Sequence, residues 1–231
     1  MNKIPNPEPT FCVIVPAYLE ERRIAGVVRR IQQVAKSVVV IDDGSTDQTA
    51  REATAAGAIV LRHERNQGKG AALQTGFTYA QAQHFECLVT MDADGQHAPE
   101  DIPRFLETYA RTGIPVLVGN RMDNPATMPI IRRWTNRFMS WYLSRAMRQF
   151  VPDTQCGFRL YRCDVLPTTA PASTGYAAES EILLQLAAGG VRMGSVPITV
   201  IYQDEISKIH PVRDTLRFFR MIRRFRRKQE N

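Results

Sequence analysis

The sequence predicts an α/β fold with a mainly parallel sheet and helices on both faces. In the first half of the chain, short apolar runs rich in β-branched residues alternate with segments whose apolar residues recur at helical spacing. Such alternation is typical of parallel strands joined by helical crossovers. The predicted buried strands are Phe11–Val15, Val38–Ile41, Ile59–Leu61, Leu88–Met91 and Val116–Val118.

Amphipathic helices are predicted between these strands from apolar stripes at helical spacing. One stripe consists of Ile24, Val27, Val28, Ile31 and Val34, and another of Ile102, Phe105, Leu106 and Tyr109. Ser45 with Gln48 has the spacing of a capping box for a further helix. The less regular second half predicts a helix over Ile130–Met147, another within Gly175–Gly189 and one or two strands within Val191–Tyr202.

The length of 231 residues and the hydrophobic content of 44% indicate one domain with a sizeable core. The formal charge of +7 is concentrated between Arg213 and Lys228. We therefore expect a flexible N-terminal arm (1–10), a single domain (11–211) and a basic amphipathic C-terminal segment (212–231). A neutral body argues against a broad nucleic-acid surface, whereas a basic arm suits an anionic membrane or ligand.

The cysteines and the hydropathy pattern favour a protein of the reducing cytosol. The four cysteines form no CxxC pair, which argues against a zinc site or a disulfide framework. No apolar stretch approaches the roughly 20 residues that span a bilayer. Met1–Pro9 is polar and proline-rich, unlike a signal peptide.

Acidic residues follow two of the predicted strands, where the carboxyl ends of a parallel sheet bind ligands. Asp92 and Asp94 come after the fourth strand, and two carboxylates at that spacing can share a hard cation such as Mg²⁺ or Mn²⁺. Such a cation would stabilise a diphosphate leaving group. A polar turn is the alternative, since Asp and Gly favour turns.

Asp42 and Asp43 follow the second strand, where a carboxylate can accept a hydrogen bond from a nucleobase or a ribose hydroxyl. The nearby segment Asn66–Gly70 lacks the spacing of a phosphate-binding loop and of a dinucleotide fingerprint. A tight turn into the next helix is the favoured interpretation, with Lys69 beside a phosphate as the weaker one.

Aromatic residues and arginines alternate along the predicted helix Ile130–Met147. Trp134, Phe138, Trp141, Tyr142 and Arg145 share one face, which is usual for a core stripe. The interleaved arginines make an interfacial helix the competing interpretation.

Seven segments in order resemble family 2 glycosyltransferases, most closely the branch with dolichol-phosphate mannose synthases and dolichyl-phosphate glucosyltransferases. They are Val15–Glu20, Val40–Ser45, Asn66–Gly70, Met91–His97, Gly119–Arg121, Asp153–Phe158 and Val196–Ile198. The resemblance implies a GT-A fold and covers nearly the whole chain from Phe11. It also implies an inverting transfer of a hexose from a nucleotide-sugar to a polyprenyl or dolichyl phosphate.

The resemblance further implies site residues. Metal and diphosphate would be held by Asp92, Asp94 and Gln96. The nucleotide-sugar would also contact Pro16, Ala17, Tyr18, Glu20, Ile41, Asp43, Ala93 and Lys208. Arg121 and Arg132 would hold the acceptor phosphate or the donor diphosphate, beside Asn136, which stands where a family serine is common. Leu19 departs from the pattern, because an asparagine is common at that position.

A phosphate monoester is largely ionised at neutral pH, so direct attack by it needs no strong general base. A saccharide hydroxyl acceptor would need a carboxylate base. Two rival functions are a nucleotidyltransferase, which would release pyrophosphate, and a non-catalytic basic adaptor for RNA or membranes. Asp153–Phe158 looks more like the glucosyl branch, which favours UDP-glucose or a related donor over GDP-mannose. The enzyme is expected in the cytoplasm, peripherally bound to the cytoplasmic face of a membrane.

Overall fold

The computed structural model of the protein describes residues 9–122, 130–173, 175–201 and 218–225. Within those ranges, seven strands form one sheet. They are β1 (Phe11–Ala17), β2 (Val38–Asp42), β3 (Ile59–Arg62), β4 (Cys87–Thr90), β5 (Val116–Asn120), β6 (Arg159–Arg162) and β7 (Met193–Pro197). The helices are α1 (Ile24–Ile31), α2 (Thr49–Ala55), α3 (Lys69–Ala82), α4 (Ile102–Thr112), α5 (Ile130–Met147) and α6 (Tyr176–Ala188).

The strand order in the sheet is β3-β2-β1-β4-β6-β5-β7. Pairs β1–β2, β1–β4, β2–β3 and β5–β7 are parallel, whereas β6 runs antiparallel to both β4 and β5. The predicted mainly parallel sheet is therefore confirmed, and the five predicted strands of the first half are present. The predicted burial of β3 was wrong, because this strand lies at the edge of the sheet and leaves Ile59 45% exposed. The order reverses between β1 and β4, which creates a crevice at their carboxyl ends.

Every residue of β2, β4 and β5 is buried, since helices cover both faces of the sheet. The predicted stripe of α1 is buried at Ile24, Val27, Val28 and Ile31. Helix α3 packs closely on β1, since a Cβ added at Gly76 would lie 2.4 Å from Ile14 Cγ2. All four cysteines are buried and free.

Two further features of the described chain differ from the sequence-based expectation. Strand β6 was not predicted, because Arg159-Leu160-Tyr161-Arg162 has no apolar run. The capping box was wrong: Ser45 Oγ accepts a bond from Leu19 N at 3.0 Å, and α2 begins at Thr49. Asp47, which accepts bonds from Thr49 N and Oγ1, stabilises the start of that helix instead.

The described part of the basic segment, 218–225, is helical and packs against the body. Phe218, Met221 and Ile222 are buried in the core, whereas Phe219 is 36% exposed. Residues 218–225 therefore contribute to the core through one face and leave Arg220, Arg223 and Arg224 exposed. Among the described residues, no helix is long and apolar enough to cross a membrane.

Candidate active site

The carboxyl ends of β2, β1 and β4 meet at one edge of the sheet and bring the predicted segments together. In the parallel register Pro16 pairs with Ile41, and Asp43 N donates to Ala17 O at 2.9 Å. Met91 N donates to Ile14 O at 3.0 Å, so the loop with Asp92 and Asp94 begins beside β1. The convergence that was inferred from topology is thus present in the structure.

Lys69, at the first position of α3, lies between two carboxylates. Its Nζ is 2.5 Å from Asp92 Oδ1 and 3.1 Å from Glu179 Oε2 on α6. Burial opposes ionisation of both Lys69 and Asp92, but their mutual attraction is stronger. It holds the pKa of Asp92 well below its usual range and, with Glu179, raises the pKa of Lys69. The site therefore contains two carboxylates joined by one ammonium group.

Gly157, in the loop before β6, allows these carboxylates to approach the backbone. A Cβ added there would lie 2.8 Å from Asp92 Oδ2 and 3.0 Å from Glu179 Oε1. The glycine is held in place because Thr90 Oγ1 donates to its carbonyl at 2.8 Å. Gly157 and Glu179 are site components that sequence reasoning missed, since neither stands beside the acidic motif in the chain.

The loop after β4 is shaped by its own polar groups. Gln96 N donates to Asp94 Oδ1 at 2.9 Å, which closes a tight turn around Gly95. Asp92 N donates to His97 Nδ1 at 3.3 Å, so His97 acts there as an acceptor. Burial lowers the pKa of His97 to about 4, which keeps the ring neutral at physiological pH. His97, to which the sequence assigned no role, therefore positions the Asp92 backbone.

The residues of this loop fit a substrate-bound divalent cation. Asp92 and Asp94 are only partly buried and offer carboxylate oxygens, and Gln96 adds an amide. Mg²⁺ usually takes one or two protein carboxylates and fills its other positions with water and substrate phosphates. Two carboxylates and one amide are therefore a donor set that suits an open site shared with a phosphate ligand. Within the described ranges, no group of three or more His, Cys, Asp and Glu side chains could hold a metal ion.

The carboxylate oxygens of Asp43 accept hydrogen bonds from the neighbouring loop. Its Oδ1 lies 2.7 Å from His63 Nδ1 and accepts from Gln67 N at 2.9 Å, while Oδ2 accepts from Gly68 N at 2.7 Å. The side chain is almost fully buried. Asp43 therefore fixes the turn that starts α3 and places Lys69, which is the tight-turn interpretation of that segment. Nucleoside contact by Asp43 remains a proposal.

Arg121, after β5, is clamped by Asp153. Its Nε and Nη2 donate to the two carboxylate oxygens at 2.6 and 2.9 Å, and its backbone N donates to the same group at 3.2 Å. Both residues are buried. The clamp fixes the guanidinium at the same edge of the sheet as Asp92, because β5 is parallel to β4 through the intervening β6.

Arg159 is fully buried and organises the loop before β6. Its guanidinium donates to the carbonyls of Cys156, Thr154 and Glu179 at 2.7 to 2.9 Å. It also donates to Tyr161 Oη at 3.0 Å. The loop that carries Asp153 and Gly157 is thereby tied to the α6 backbone.

The segment Tyr18–Glu20 begins the predicted nucleoside pocket. Tyr18 is 42% exposed, while Glu20 is buried and accepts from Arg23 at 3.2 Å. Leu19 has φ of 56°, a left-handed conformation that a leucine rarely adopts. The asparagine that Leu19 replaces tolerates this conformation better.

The remaining predicted site residues have different positions. Ile41 and Ala93 are buried at the sheet edge, and Asn136 is buried on the inner side of α5. Arg132 belongs to α5, but its side chain lies outside the described residues, as does all of Lys208. The contacts predicted for Arg132 and Lys208 therefore stay predictions.

The family of the chain follows from its likeness to known proteins. The model of Glycosyl transferase family 2 matches residues 12–168. The chain belongs to this family. It is therefore a glycosyltransferase, and the residues at the sheet edge form its candidate active site.

Two named relatives and one solved structure illustrate the likeness. UDP-N-acetylglucosamine--dolichyl-phosphate N-acetylglucosaminyltransferase of Methanococcus voltae is 30% identical over 215 residues, covering 83% of this chain and 86% of that protein. Polyprenol monophosphomannose synthase of Mycolicibacterium smegmatis is 30% identical over 206 residues, covering 81% and 76%. Glucosyl-3-phosphoglycerate synthase from Mycobacterium tuberculosis, solved with Mn²⁺, UDP and phosphoglyceric acid, has a TM-score of 0.68 and 21% identity over 94% of this chain and 77% of that chain. The structural likeness shows the GT-A fold.

Proposed function

We propose that this glycosyltransferase moves a hexose from a nucleotide-sugar to a polyprenyl phosphate by a single inverting displacement. The observation that carries the proposal is the sheet-edge constellation of the Asp92–Gln96 loop, Lys69 and the clamped Arg121. It offers carboxylate oxygens for a cation and fixed positive groups for phosphates. The two named relatives carry polyprenyl or dolichyl phosphate in their names, which supports the acceptor class.

The nucleotide end of the donor is assigned to the carboxyl ends of β1 and β2. Pro16, Ala17 and Ile41 would form the apolar floor of this pocket, and the ring of Tyr18, which is 42% exposed, would contact the base or the ribose. Asp43 would contribute mainly by holding the start of α3, because its oxygens already accept bonds from that loop. Glu20 and Ala93 border the same space in this proposal.

The diphosphate end is assigned to the loop after β4. Asp92, Asp94 and Gln96 would hold Mg²⁺ or Mn²⁺, which when bound neutralises the charge that builds on the leaving diphosphate. The ammonium of Lys69 lies beside Asp92 and adds a fixed positive charge. Arg121, and in the sequence-based proposal Arg132, Lys208 and Asn136, would orient the acceptor phosphate.

The acceptor phosphate itself supplies the nucleophile, because its oxygens are ionised at neutral pH. A saccharide hydroxyl would instead need a carboxylate base within hydrogen-bond reach. Glu179 is the buried carboxylate that shares Lys69 with the metal loop, and its Oε2 is 3.1 Å from Lys69 Nζ. That ion pair already engages the carboxylate, which fits an acceptor that needs no base.

A donor panel with a short-chain polyprenyl phosphate tests the function. UDP-glucose, UDP-N-acetylglucosamine and GDP-mannose would each be incubated with the enzyme and Mg²⁺ or Mn²⁺, and nucleoside diphosphate and glycolipid would be quantified. We expect equal amounts of both products with a UDP-sugar. Release of pyrophosphate from nucleoside triphosphates instead would establish a nucleotidyltransferase, and turnover with GDP-mannose alone would overturn the UDP assignment.

A further inference from the structure

Large aromatic side chains lie exposed on the outer side of α5. Trp134, Phe138 and Trp141 are 68%, 50% and 58% exposed, and their spacing places them on one helical face. The ring centroid of Phe138 lies 6.1 Å from that of Trp141 and 6.4 Å from that of Phe219 in the helix 218–225. We call these four residues the aromatic face. It is a contiguous apolar surface where a soluble helix would ordinarily present polar groups.

The aromatic face is surrounded by positive charge. Among the described residues, the exposed arginines on or directly after its two helices are Arg133, Arg137, Arg145, Arg148, Arg220, Arg223 and Arg224. Neither α5 nor 218–225 contains an aspartate or a glutamate. A dense cationic rim around exposed tryptophan and phenylalanine is complementary to anionic lipid head groups above an apolar layer.

The inner side of α5 is joined to the active site. Thr154 N donates to Ser140 Oγ at 2.9 Å, and Val151 N donates to Ser144 Oγ at 3.0 Å. The turn held in this way carries Asp153, which clamps Arg121. Helix α5 thus has three residues of the aromatic face on its outer side and contacts, on its inner side, the turn whose Asp153 fixes Arg121.

We propose that the aromatic face docks on an anionic lipid bilayer, with its rings in the interface and its arginines among the head groups. The proposal deepens the proposed function and rests on it, because a lipid acceptor gives the enzyme a reason to sit at that surface. A second copy of the chain is less suited than a bilayer to cover the aromatic face. A two-fold contact would set this cationic rim against itself without any carboxylate from either helix.

Tryptophan fluorescence reports on docking of the aromatic face, because the chain has only two tryptophans and both belong to that face. The full-length protein would be titrated with vesicles of phosphatidylglycerol and phosphatidylcholine, and with vesicles of phosphatidylcholine alone. We expect a blue shift of tryptophan emission, and quenching by lipids with brominated acyl chains, in the anionic vesicles. Unchanged emission over a full titration would overturn the proposal.

Matched variants distinguish vesicle binding through the aromatic face from binding that depends only on the net positive charge of the protein. Arg133→Ala/Arg137→Ala/Arg145→Ala should weaken binding to anionic vesicles on the order of a hundredfold, at about fivefold for each arginine. Arg29→Ala/Arg51→Ala/Arg111→Ala removes the same charge from exposed positions on α1, α2 and α4 and should bind like the wild type. Equal binding by the two triple variants would contradict the proposed surface.

A second pair of variants tests the apolar contribution. Phe138→Ser should reduce vesicle binding, whereas Ile59→Ser, at a residue 45% exposed on β3, should not. Two other outcomes would assign the aromatic face to another partner and overturn the proposal. One is a concentration-dependent dimer whose tryptophan emission is already blue-shifted without vesicles. The other is a change of emission with single-stranded RNA but not with vesicles.

Turnover of a water-soluble, short-chain polyprenyl phosphate by the same proteins distinguishes the two proposals. The arginine variant should keep that turnover while losing most activity on acceptor embedded in vesicles. Vesicle binding without any transfer would contradict the proposed function and leave docking supported. Transfer without vesicle binding would contradict docking alone.

Discussion

Lys69 Nζ lies 2.5 Å from Asp92 Oδ1 and 3.1 Å from Glu179 Oε2, so one ammonium joins the start of α3, the loop after β4 and α6. The three side chains are at most 27% exposed, so their interaction is weakly screened. Removing the ammonium would leave two carboxylates close together with no positive group between them. The ion pair therefore bears on both stability and the geometry of the proposed metal site.

Lys69→Met should lower the free energy of unfolding by about 2–3 kcal/mol at pH 7, because it breaks a largely buried ion pair. The pKa of Asp92 is depressed in the folded protein, so its contribution is present above the unfolded value near 4 and is lost in acid. The pKa of Lys69 is raised, so its contribution persists below about 10. Urea denaturation at pH 7 and pH 3 should show a smaller difference between variant and wild type at pH 3.

The matched control for this variant is Lys36→Met, at an exposed lysine before β2. It should change stability by no more than about 0.5 kcal/mol at either pH. An equal effect of the two substitutions, or a Lys69→Met defect that grows in acid, would contradict the role of the ion pair.

Asp94→Ala should abolish metal-dependent nucleotide binding and reduce transfer by at least about a hundredfold, with little effect on the melting temperature. The physical reason is the loss of a carboxylate that would hold a cation against the leaving diphosphate. Thermal stabilisation by UDP and GDP, each with and without Mn²⁺, measures the binding. Glu107→Ala, at an exposed carboxylate on α4, is the control, and unchanged turnover in Asp94→Ala would refute the site assignment.

Gly157→Ala should impair catalysis more than folding. The added methyl would lie 2.8 Å from Asp92 Oδ2, so the carboxylate must move away from its position. A displacement of this size at a catalytic group costs roughly tenfold to a hundredfold in turnover. Gly189→Ala, where the nearest atom to the added Cβ is 3.4 Å away, should keep full activity, and equal kinetics for the two variants would count against the close packing at Asp92.

Leu19→Asn should stabilise the protein by about 1 kcal/mol, because asparagine adopts the left-handed conformation at this position with less strain. The backbone bond from residue 19 to Ser45 Oγ would be retained. Leu19→Ala keeps a Cβ without the amide and serves as the control, since it should show no such gain. Urea midpoints measure both, and a lower stability of Leu19→Asn would contradict the strain at Leu19.

Elements encoded by local patterns were predicted from the sequence. The parallel strands and α5 follow from apolar runs and helical spacing, and the carboxyl-end position of Asp92 and Asp94 follows from topology. The family resemblance added the glycosyltransferase family and the GT-A fold, both of which the comparisons confirmed. The individual site roles drawn from that resemblance stay predictions.

Features that depend on distant partners were not predictable in the same way. Strand β6 pairs with β4 and β5, which are distant from it or from each other in the sequence, and its buried Arg159 donates to carbonyls of residues 154, 156 and 179. Glu179 was part of a predicted helix, but nothing local indicates its contact with Lys69. Phe218 and Phe219 are adjacent in the sequence, yet only the packed body determines that the first is buried and the second is partly exposed.

Transfer to a phosphate and not to a hydroxyl group is measured most directly by comparing two lipid acceptors. Radiolabelled sugar from the best nucleotide-sugar donor would be supplied with a polyprenyl phosphate or with the polyprenol of the same length, with Asp94→Ala as background. We expect label only in the phosphorylated lipid, dependent on Mg²⁺ or Mn²⁺ and released by mild acid as expected for a glycosyl phosphodiester. Label in the polyprenol, or transfer to a saccharide hydroxyl with none to polyprenyl phosphate, would contradict the proposed transfer to a phosphate.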